Sequence, residues 1–244
     1  MTDFGFREVS PEEKTQLVGR VFSSVADRYD LMNDLMSVGI HRLWKRHFVA
    51  GCGLRPGQAV LDLAGGTGDI ADLVRRRVQP GGKVLVADIN RAMLEAGRRR
   101  MDDRGRVGGF EWLQVNAESL PFADRSFDHL TIAFGLRNVT DKAAALAEMH
   151  RVLKPGGRGH ILEFSHVAPE PVARAYDLWS FQVLPRLGAM VAGDRESYQY
   201  LAESIRRFPN QEALAGQLQE VGFERVRYEN LSAGIAVIHR GART

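Results

Sequence analysis

The fold class of this chain is decided by the stretch Ala59-Val60-Leu61-Asp62-Leu63-Ala64-Gly65-Gly66-Thr67-Gly68-Asp69. Its first five residues form a short apolar run that leads into a turn, which predicts a buried strand. A glycine-rich turn follows, and residues 70–78 are predicted to form a helix. Glycine lets the backbone approach a ligand closely, and the first turn of a helix offers free N–H groups. The stretch therefore predicts a ligand-binding edge of an α/β sheet.

Alternating strands and helices continue beyond this stretch. Strands are predicted at 83–88, 110–115, 127–134 and 160–164, with helices at 93–101 and 143–153, and an antiparallel pair at 225–231 and 234–239 closes the sheet. This order predicts an α/β fold with a doubly wound, mostly parallel, seven-stranded sheet. We expect a single domain over 1–244, made of an N-terminal helical lid (10–49), a cofactor-binding core (57–165), a helical insertion (166–208) and a closing helix with antiparallel strands (209–244).

Composition narrows the class of protein. The chain has 244 residues, a net charge of +3 and one cysteine, Cys52, which excludes a disulfide framework and a site of several zinc-bound thiolates. No His/Asp/Glu cluster has a convincing metal spacing, so we expect no metal. No apolar run approaches the roughly 18 residues of a membrane helix, and no secretory signal is visible. We therefore expect a cytoplasmic protein, with peripheral contact at the inner face of the membrane as a further option.

Asp88 ends the second predicted strand, about twenty residues after the glycines. A carboxylate at that place can accept hydrogen bonds from both hydroxyls of a ribose. The run that starts at Gly66 also fits the dinucleotide pattern G-x-G-x-x-A, which alone is a weak signal. These features leave both NAD and S-adenosylmethionine open as ligands.

Three features favour the methyl donor. Asp62 ends the first strand, where it can meet an ammonium group, and with Asp69 it would repel the pyrophosphate of NAD. Asn116 and Ala117 follow the third strand, where an amide and a backbone N–H can read an adenine edge. The third feature is a pair of segments: Phe127-Asp128 begins the fourth strand, and 151–157 precedes the fifth.

At these residues the chain resembles class I S-adenosylmethionine-dependent methyltransferases, whose glycine loop reads D/E-x-G-x-G-x-G; here Ala64 replaces the first glycine. Residues 29–44, 134–138, 151–165, 198–205 and 234–241 further resemble the ubiquinone/menaquinone biosynthesis C-methyltransferases. Gly159 departs from that pattern, which usually has a larger aliphatic residue. The resemblance covers nearly the whole chain. It implies contacts to S-adenosylmethionine from Asp62, Gly65, Gly66, Thr67, Gly68, Asp88, Asn116, Ala117 and Ala133, the last standing where the family often has serine.

The same resemblance implies methylation of a ring carbon of a prenylated quinol, either a 2-polyprenyl-6-methoxy-1,4-benzoquinol or demethylmenaquinol. Arg137 and Asn138 are the implied catalytic residues, because they can stabilise a phenolate and bind a ring oxygen; a structural salt bridge and a turn are the alternatives. Glu163 is a candidate proton acceptor, or else the buried partner of an arginine. His41, Trp44 and Tyr198 complete the predicted acceptor pocket, with core packing as the alternative for His41 and Trp44.

The sequence also leaves some alternative functions and partners open. An NAD-dependent dehydrogenase fits the loop and Asp88 but not Asp62 and Asn116. A methyltransferase for another small aromatic acceptor and a module that only binds the donor also stay open. The fourth strand is not followed by the Pro-Pro-Tyr run of nucleic-acid methyltransferases, so we expect no nucleic-acid partner. Segments 10–49 and 166–208 are the expected contacts with lipid, and a homodimer or an assembly with other quinone-biosynthesis enzymes fits the sequence equally.

Overall fold

The computed structural model describes residues 1–25, 33–34, 37, 39–106, 108–167, 170–186 and 195–244. Most of the motif predicted at 29–44 that precedes Gly39 lies outside these residues. So do Leu187, Met190 and Val191, which were expected to contact lipid.

Nine strands occur in the described part of the chain. A hairpin pairs β1 (Thr2–Phe4) with β2 (Arg7–Val9). The main sheet has seven strands in the order β5-β4-β3-β6-β7-β9-β8, and only β9 runs antiparallel to its neighbours. Its strands are β3 (Ala59–Leu63), β4 (Lys83–Asp88), β5 (Phe110–Gln114), β6 (Phe127–Ala133), β7 (Leu153–Phe164), β8 (Glu224–Leu231) and β9 (Ala236–Ala242). The predicted fold class is confirmed. The strand order reverses between β3 and β6, which is where α/β sheets bind ligands.

Eight α-helices accompany the strands in the described residues. They are α1 (Pro11–Val25), α2 (His41–Ala50), α3 (Asp69–Val78), α4 (Arg91–Asp103), α5 (Lys142–Val152), α6 (Glu170–Leu178), α7 (Arg195–Arg207) and α8 (Gln211–Glu220). Val60 of β3 belongs to one buried cluster, whereas Leu61 and Leu63 belong to another. Because successive strand side chains point to opposite faces, these clusters are the two faces of the sheet, each covered by helices.

Three local predictions were wrong. The hairpin of residues 2–9 was not foreseen, since two strands of three residues each carry little periodic signal. Strand β7 begins at Leu153 rather than at 160, because Phe127 pairs with Leu153 and the ladder resumes at Arg158 after a bulge. The closing strand begins at Ala236 rather than at 234, because Ser232–Gly234 forms a 3₁₀ turn.

Within the described ranges, no helix combines the length and the apolar character that crossing a membrane requires. The division of the chain into a lid, a core, an insertion and a closing segment stays a prediction.

Candidate active site

A cleft with about 800 Å³ of empty space opens at the carboxyl ends of β3, β4 and β6, where the strand order reverses. Helix α1 covers one side of it. Its walls include Thr15, Val18, Phe22, Leu63, Ala64, Gly66, Asp88, Ile89, Met93, Asn116, Ala117, Glu118, Phe134, Gly135 and Asn138. The cleft is therefore largely apolar, with carboxylates and amides at a few places, as is usual for a small-molecule site.

Asp88 anchors the glycine loop from the end of β4. Its Oδ2 accepts a hydrogen bond from the backbone N–H of Gly66 at 2.9 Å, and its Oδ1 accepts one from that of Asn90 at 2.8 Å. Burial at the base of the cleft raises the pKa of Asp88 to about 6, although these two backbone bonds act in the opposite direction. Each carboxylate oxygen keeps a second lone pair, so Asp88 can accept further hydrogen bonds from a ligand in the cleft.

Asp62 lies in a smaller cavity that shares Ala64 and Gly66 with the cleft. The side chain is fully buried at the end of β3, and its Oδ1 accepts a hydrogen bond from Thr131 Oγ1 at 2.7 Å. Its Oδ2 has no hydrogen-bond partner among the described residues. Burial raises the pKa of Asp62 to about 7. A buried carboxylate oxygen without a partner is costly, and a bound ammonium group would satisfy it.

The glycine loop is shaped by close contacts that exclude larger side chains. A Cβ on Gly65 would lie 2.6 Å from Cγ1 of Val86, and one on Gly68 would lie 2.8 Å from Trp112. Two residues beside the cleft adopt positive φ although they are not glycine: Ala64 at 50° and Phe134 at 57°. Such strain is concentrated at binding sites, and here it occurs at the ends of the two strands that flank the reversal.

The structure brings together most of the predicted donor contacts. Gly66, Asp88, Asn116 and Ala117 line the cleft. The smaller cavity is lined by Asp62, Gly65, Thr67 and Ala133. Gly68 is different, because it precedes α3 with a φ of 80° and faces Trp112 instead of a cavity. Its predicted contact with the donor stays a prediction.

Several cleft residues were missed by the sequence reasoning. Ile89 is exposed beside Asp88, and Met93 and Phe134 add apolar surface to the same cleft. From α1, Val18 and Phe22 form part of the wall. The signal available in the sequence for Ile89 was an apolar residue directly after the carboxylate that ends the second predicted strand.

Arg137 and Glu163 form a buried ion pair. Nη1 of Arg137 lies 2.5 Å from Oε1 of Glu163 and donates a second bond to the carbonyl oxygen of Phe134 at 2.6 Å. Both side chains are almost completely buried, and neither is among the residues that line the cleft. The arrangement corresponds to the salt-bridge alternative given for each residue. The catalytic role of Arg137 and the role of Glu163 as a proton acceptor stay predictions.

Asn138 does line the cleft. It belongs to a short 3₁₀ turn, Leu136–Asn138, that follows β6. Its Oδ1 accepts a hydrogen bond at 3.0 Å from the hydroxyl of Tyr200 on α7. Its Nδ2 makes no hydrogen bond among the described residues and can donate to a ligand.

The other predicted acceptor residues are packed in the interior. His41 is bonded through Nε2 to Asp34 at 2.9 Å. The indole Nε1 of Trp44 donates to Ser232 at 3.1 Å. Tyr198 is buried in the same core cluster as Trp44. None of the three lines the cleft in the described part of the molecule, so their contact with an acceptor stays a prediction.

The side chains of the two cavities indicate which cofactor the site can hold. No group of three or more His, Cys, Asp or Glu side chains suited to a metal occurs among the described residues. The residues that line the two cavities fit S-adenosylmethionine: the unpaired Oδ2 of Asp62 would accept from its ammonium, Asp88 would accept from its ribose hydroxyls, and Ile89 and Ala117 would supply apolar surface for its adenine.

Comparison with known proteins gives the same assignment. The model of the ubiE/COQ5 methyltransferase family matches residues 9–243. The chain is 59% identical over 240 residues to the ubiquinone/menaquinone biosynthesis C-methyltransferase UbiE of Xanthomonas axonopodis pv. citri, covering 98% of this chain and 95% of that protein. It is 57% identical to UbiE of Klebsiella pneumoniae subsp. pneumoniae, with 98% and 96% coverage.

Solved structures support the fold. A Thermotoga maritima S-adenosylmethionine-dependent methyltransferase, described as a possible histamine N-methyltransferase, superposes with a TM-score of 0.66 at 21% identity, covering 93% of this chain and all of that one. A Bacillus halodurans methyltransferase gives a TM-score of 0.59 at 19% identity, covering 82% and 99%. The family expected from the sequence motifs is confirmed: the chain belongs to the ubiE/COQ5 methyltransferase family and is an S-adenosylmethionine-dependent enzyme.

Proposed function

We propose that the protein methylates a ring carbon of a prenylated quinol in ubiquinone or menaquinone biosynthesis. The observation that carries this proposal is that Asp88, Asn116 and Asn138, from three loops at the carboxyl ends of strands, line one cavity. The names of the UbiE relatives, at 55–59% identity, support the quinone class of acceptor.

The chemistry has two requirements. A ring carbon becomes a good nucleophile only when a neighbouring hydroxyl loses its proton, because the phenolate places electron density on the ortho carbon. S-adenosylmethionine, when bound, would supply an electrophilic methyl group and leave as S-adenosylhomocysteine, and the methylated ring carbon would then lose its hydrogen as a proton. The enzyme must therefore hold the two partners in line and stabilise the phenolate oxygen.

The residues divide these tasks. Asp62 and Asp88 would hold the donor at its ammonium and its ribose. Asn138 would donate from Nδ2 to the ring oxygen, because the guanidinium of the neighbouring Arg137 is already paired with Glu163. That ion pair would support the cleft indirectly. Arg137 also donates to the carbonyl oxygen of Phe134 and would thereby hold this residue, which lines the cleft, in place.

A direct assay tests the acceptor. Purified protein is incubated with S-adenosylmethionine and, separately, with a short-tailed methoxybenzoquinol and with a short-tailed demethylnaphthoquinol, both kept reduced. Mass spectrometry should show one added methyl group on the ring carbon of at least one product. If the donor binds and neither quinol gains a methyl group, the proposed acceptor class is wrong.

We further propose that the prenyl tail stays in lipid while the ring enters the cleft, since leaving a bilayer costs about 0.8 kcal/mol per CH₂. Phe6 at the hairpin tip stacks on Phe181 with 6.2 Å between ring centroids, and the Arg207 guanidinium lies 5.8 Å from the Phe6 ring. Leu178 is 54% exposed and Phe181 37%, whereas Leu184, which the sequence placed in the same surface, is only 2% exposed and belongs to the core.

Flotation with anionic vesicles tests this surface. The variant Leu178→Ser/Phe181→Ser should bind fewer vesicles than the wild type and lose activity on long-tailed quinols only. Leu113→Ser is the matched control, because this leucine of β5 is 39% exposed and lies outside both segments expected to contact lipid. Equal flotation of all three proteins would contradict the proposal.

A further inference from the structure

Tyr200 contacts the candidate active site from outside the cleft. It lies on α7, its side chain is almost entirely buried, and its hydroxyl is 3.0 Å from Oδ1 of Asn138. Burial raises the pKa of Tyr200 far above its usual value, so the hydroxyl keeps its proton and donates it to the amide oxygen.

This bond decides which end of the Asn138 amide is available. The terminal torsion of asparagine has two broad wells related by a half turn, so an unrestrained amide presents either its oxygen or its nitrogen. A phenolate is stabilised by a donor and repelled by an oxygen. A tyrosine hydroxyl can also accept, so a flipped amide could donate to it from Nδ2, but the buried hydroxyl proton would then have no acceptor among the described residues. The orientation in which Oδ1 accepts from Tyr200 is therefore favoured. It leaves Nδ2, which makes no hydrogen bond among the described residues, for the ligand.

We propose that Tyr200 is a positioning residue that fixes the Asn138 amide with its nitrogen toward the ring oxygen of the acceptor. This inference rests on the role proposed above for Asn138. Tyr200 itself would touch neither the donor nor the acceptor, since it is absent from the cleft wall.

The N-terminal hairpin holds Tyr200 in place. The ring of Phe4 stacks on that of Tyr200, with 4.2 Å between centroids and 15° between planes. The backbone N–H of Phe6 donates to Oε2 of Glu203, one turn further along α7, at 3.0 Å. A segment far from the donor loop in sequence thereby becomes part of the geometry on which turnover depends.

The test separates the hydroxyl from the ring. Tyr200→Phe keeps the stacking on Phe4 and removes only the bond to Asn138. We expect kcat to fall about tenfold, the effect of one hydrogen bond worth about 1.4 kcal/mol in the transition state, while the Kd for S-adenosylmethionine stays within about twofold. Tyr228→Phe is the control, because it removes an exposed hydroxyl bonded to Glu212 at 2.7 Å.

A second substitution distinguishes this inference from the proposed function. If Asn138→Ala keeps wild-type turnover, the proposed role of Asn138 is wrong and the inference falls with it. If Asn138→Ala is impaired and Tyr200→Phe is not, only the inference is overturned. If both are impaired, Tyr200→Phe/Asn138→Ala should be no slower than Asn138→Ala alone, and additive losses would contradict positioning.

Should Tyr200→Phe fail to fold, Phe4→Leu decides, because it loosens the ring without removing the hydroxyl. A lower kcat with unchanged donor affinity supports the inference. An unchanged kcat in a folded Phe4→Leu protein overturns it.

Discussion

The two halves of the sheet edge treat charge in opposite ways. At the ends of β3 and β4, Asp62 and Asp88 keep acceptor capacity that the protein does not use. At the ends of β6 and β7, Glu163 is fully engaged, with Arg137 and with the backbone N–H of Phe164 at 2.9 Å. The carboxylate oxygens of the first half are therefore available to accept hydrogen bonds from a ligand. The second half uses its charges in the fold and leaves recognition to neutral groups such as Asn138.

The sharpest test of this contrast is Glu163→Ala. Removing the carboxylate leaves the Arg137 guanidinium buried without a counter-charge, which costs about 3–5 kcal/mol of unfolding free energy. Urea denaturation measures the change. Arg174–Glu170 offers the control, since both side chains are more than 70% exposed, at 79% and 75%, and such pairs contribute about 0–1 kcal/mol.

If Glu163→Ala were no more destabilising than Glu170→Ala, the ion pair would not be structural. A catalytic role for Arg137 and Glu163 would then be favoured. Glu163→Gln refines the result, because it keeps the shape of the side chain and removes only the charge.

The raised pKa of Asp62 predicts how the free energy of unfolding depends on pH. The carboxyl of Asp62 titrates near 4 in the unfolded chain but near 7 in the folded protein. Between these values the folded state holds a proton that the unfolded state has lost, so stability falls as the pH rises. Asp62→Asn keeps an acceptor for Thr131 and cannot titrate.

The wild type should therefore lose on the order of 2–4 kcal/mol relative to Asp62→Asn between pH 4 and pH 7, and no more above that range. Urea denaturation across this interval gives the difference directly. Parallel stability curves for the two proteins would show that the Asp62 carboxyl titrates at its ordinary pKa.

Asp88→Ala should weaken S-adenosylmethionine binding by about 1.5–3 kcal/mol, because charged hydrogen bonds to the ligand are lost. It also frees the backbone N–H of Gly66. Calorimetry measures the affinity, and Asp103→Ala, at an exposed position near the end of α4, is the matched control. Unchanged affinity in a folded Asp88→Ala protein would remove Asp88 from the donor site.

The same contrast explains what the sequence could predict. The donor loop is contiguous, and Asp62, Gly66 and Asp88 are placed by the strand ends that the apolar pattern predicts. The proposed acceptor side consists of Asn138, Tyr200 and the hairpin, which approach one another only through tertiary packing. No local pattern shows that Arg137 pairs with Glu163, because Glu163 lies 26 residues away on β7 and meets Arg137 only in the folded protein.

The smallest expected effect concerns Ala64, which stands where the class I methyltransferase pattern has its first glycine. Its φ of 50° costs an L-residue about 1–2 kcal/mol, against a somewhat smaller entropic cost for glycine. We expect Ala64→Gly to raise the free energy of unfolding by up to about 1 kcal/mol.

Gly135, which follows β6, provides a test of the space around Ala64. A Cβ on Gly135 would lie 2.4 Å from the Ala64 methyl, closer than two carbon atoms can pack. Gly135→Ala should therefore cost about 1–3 kcal/mol, the range for an overpacked site, and considerably less when Ala64→Gly is also present. Chemical denaturation of the four proteins gives the coupling. Simple additivity would mean that the two strand ends adjust independently, whereas a favourable coupling would show that Ala64 and Gly135 share one space between the two halves of the site.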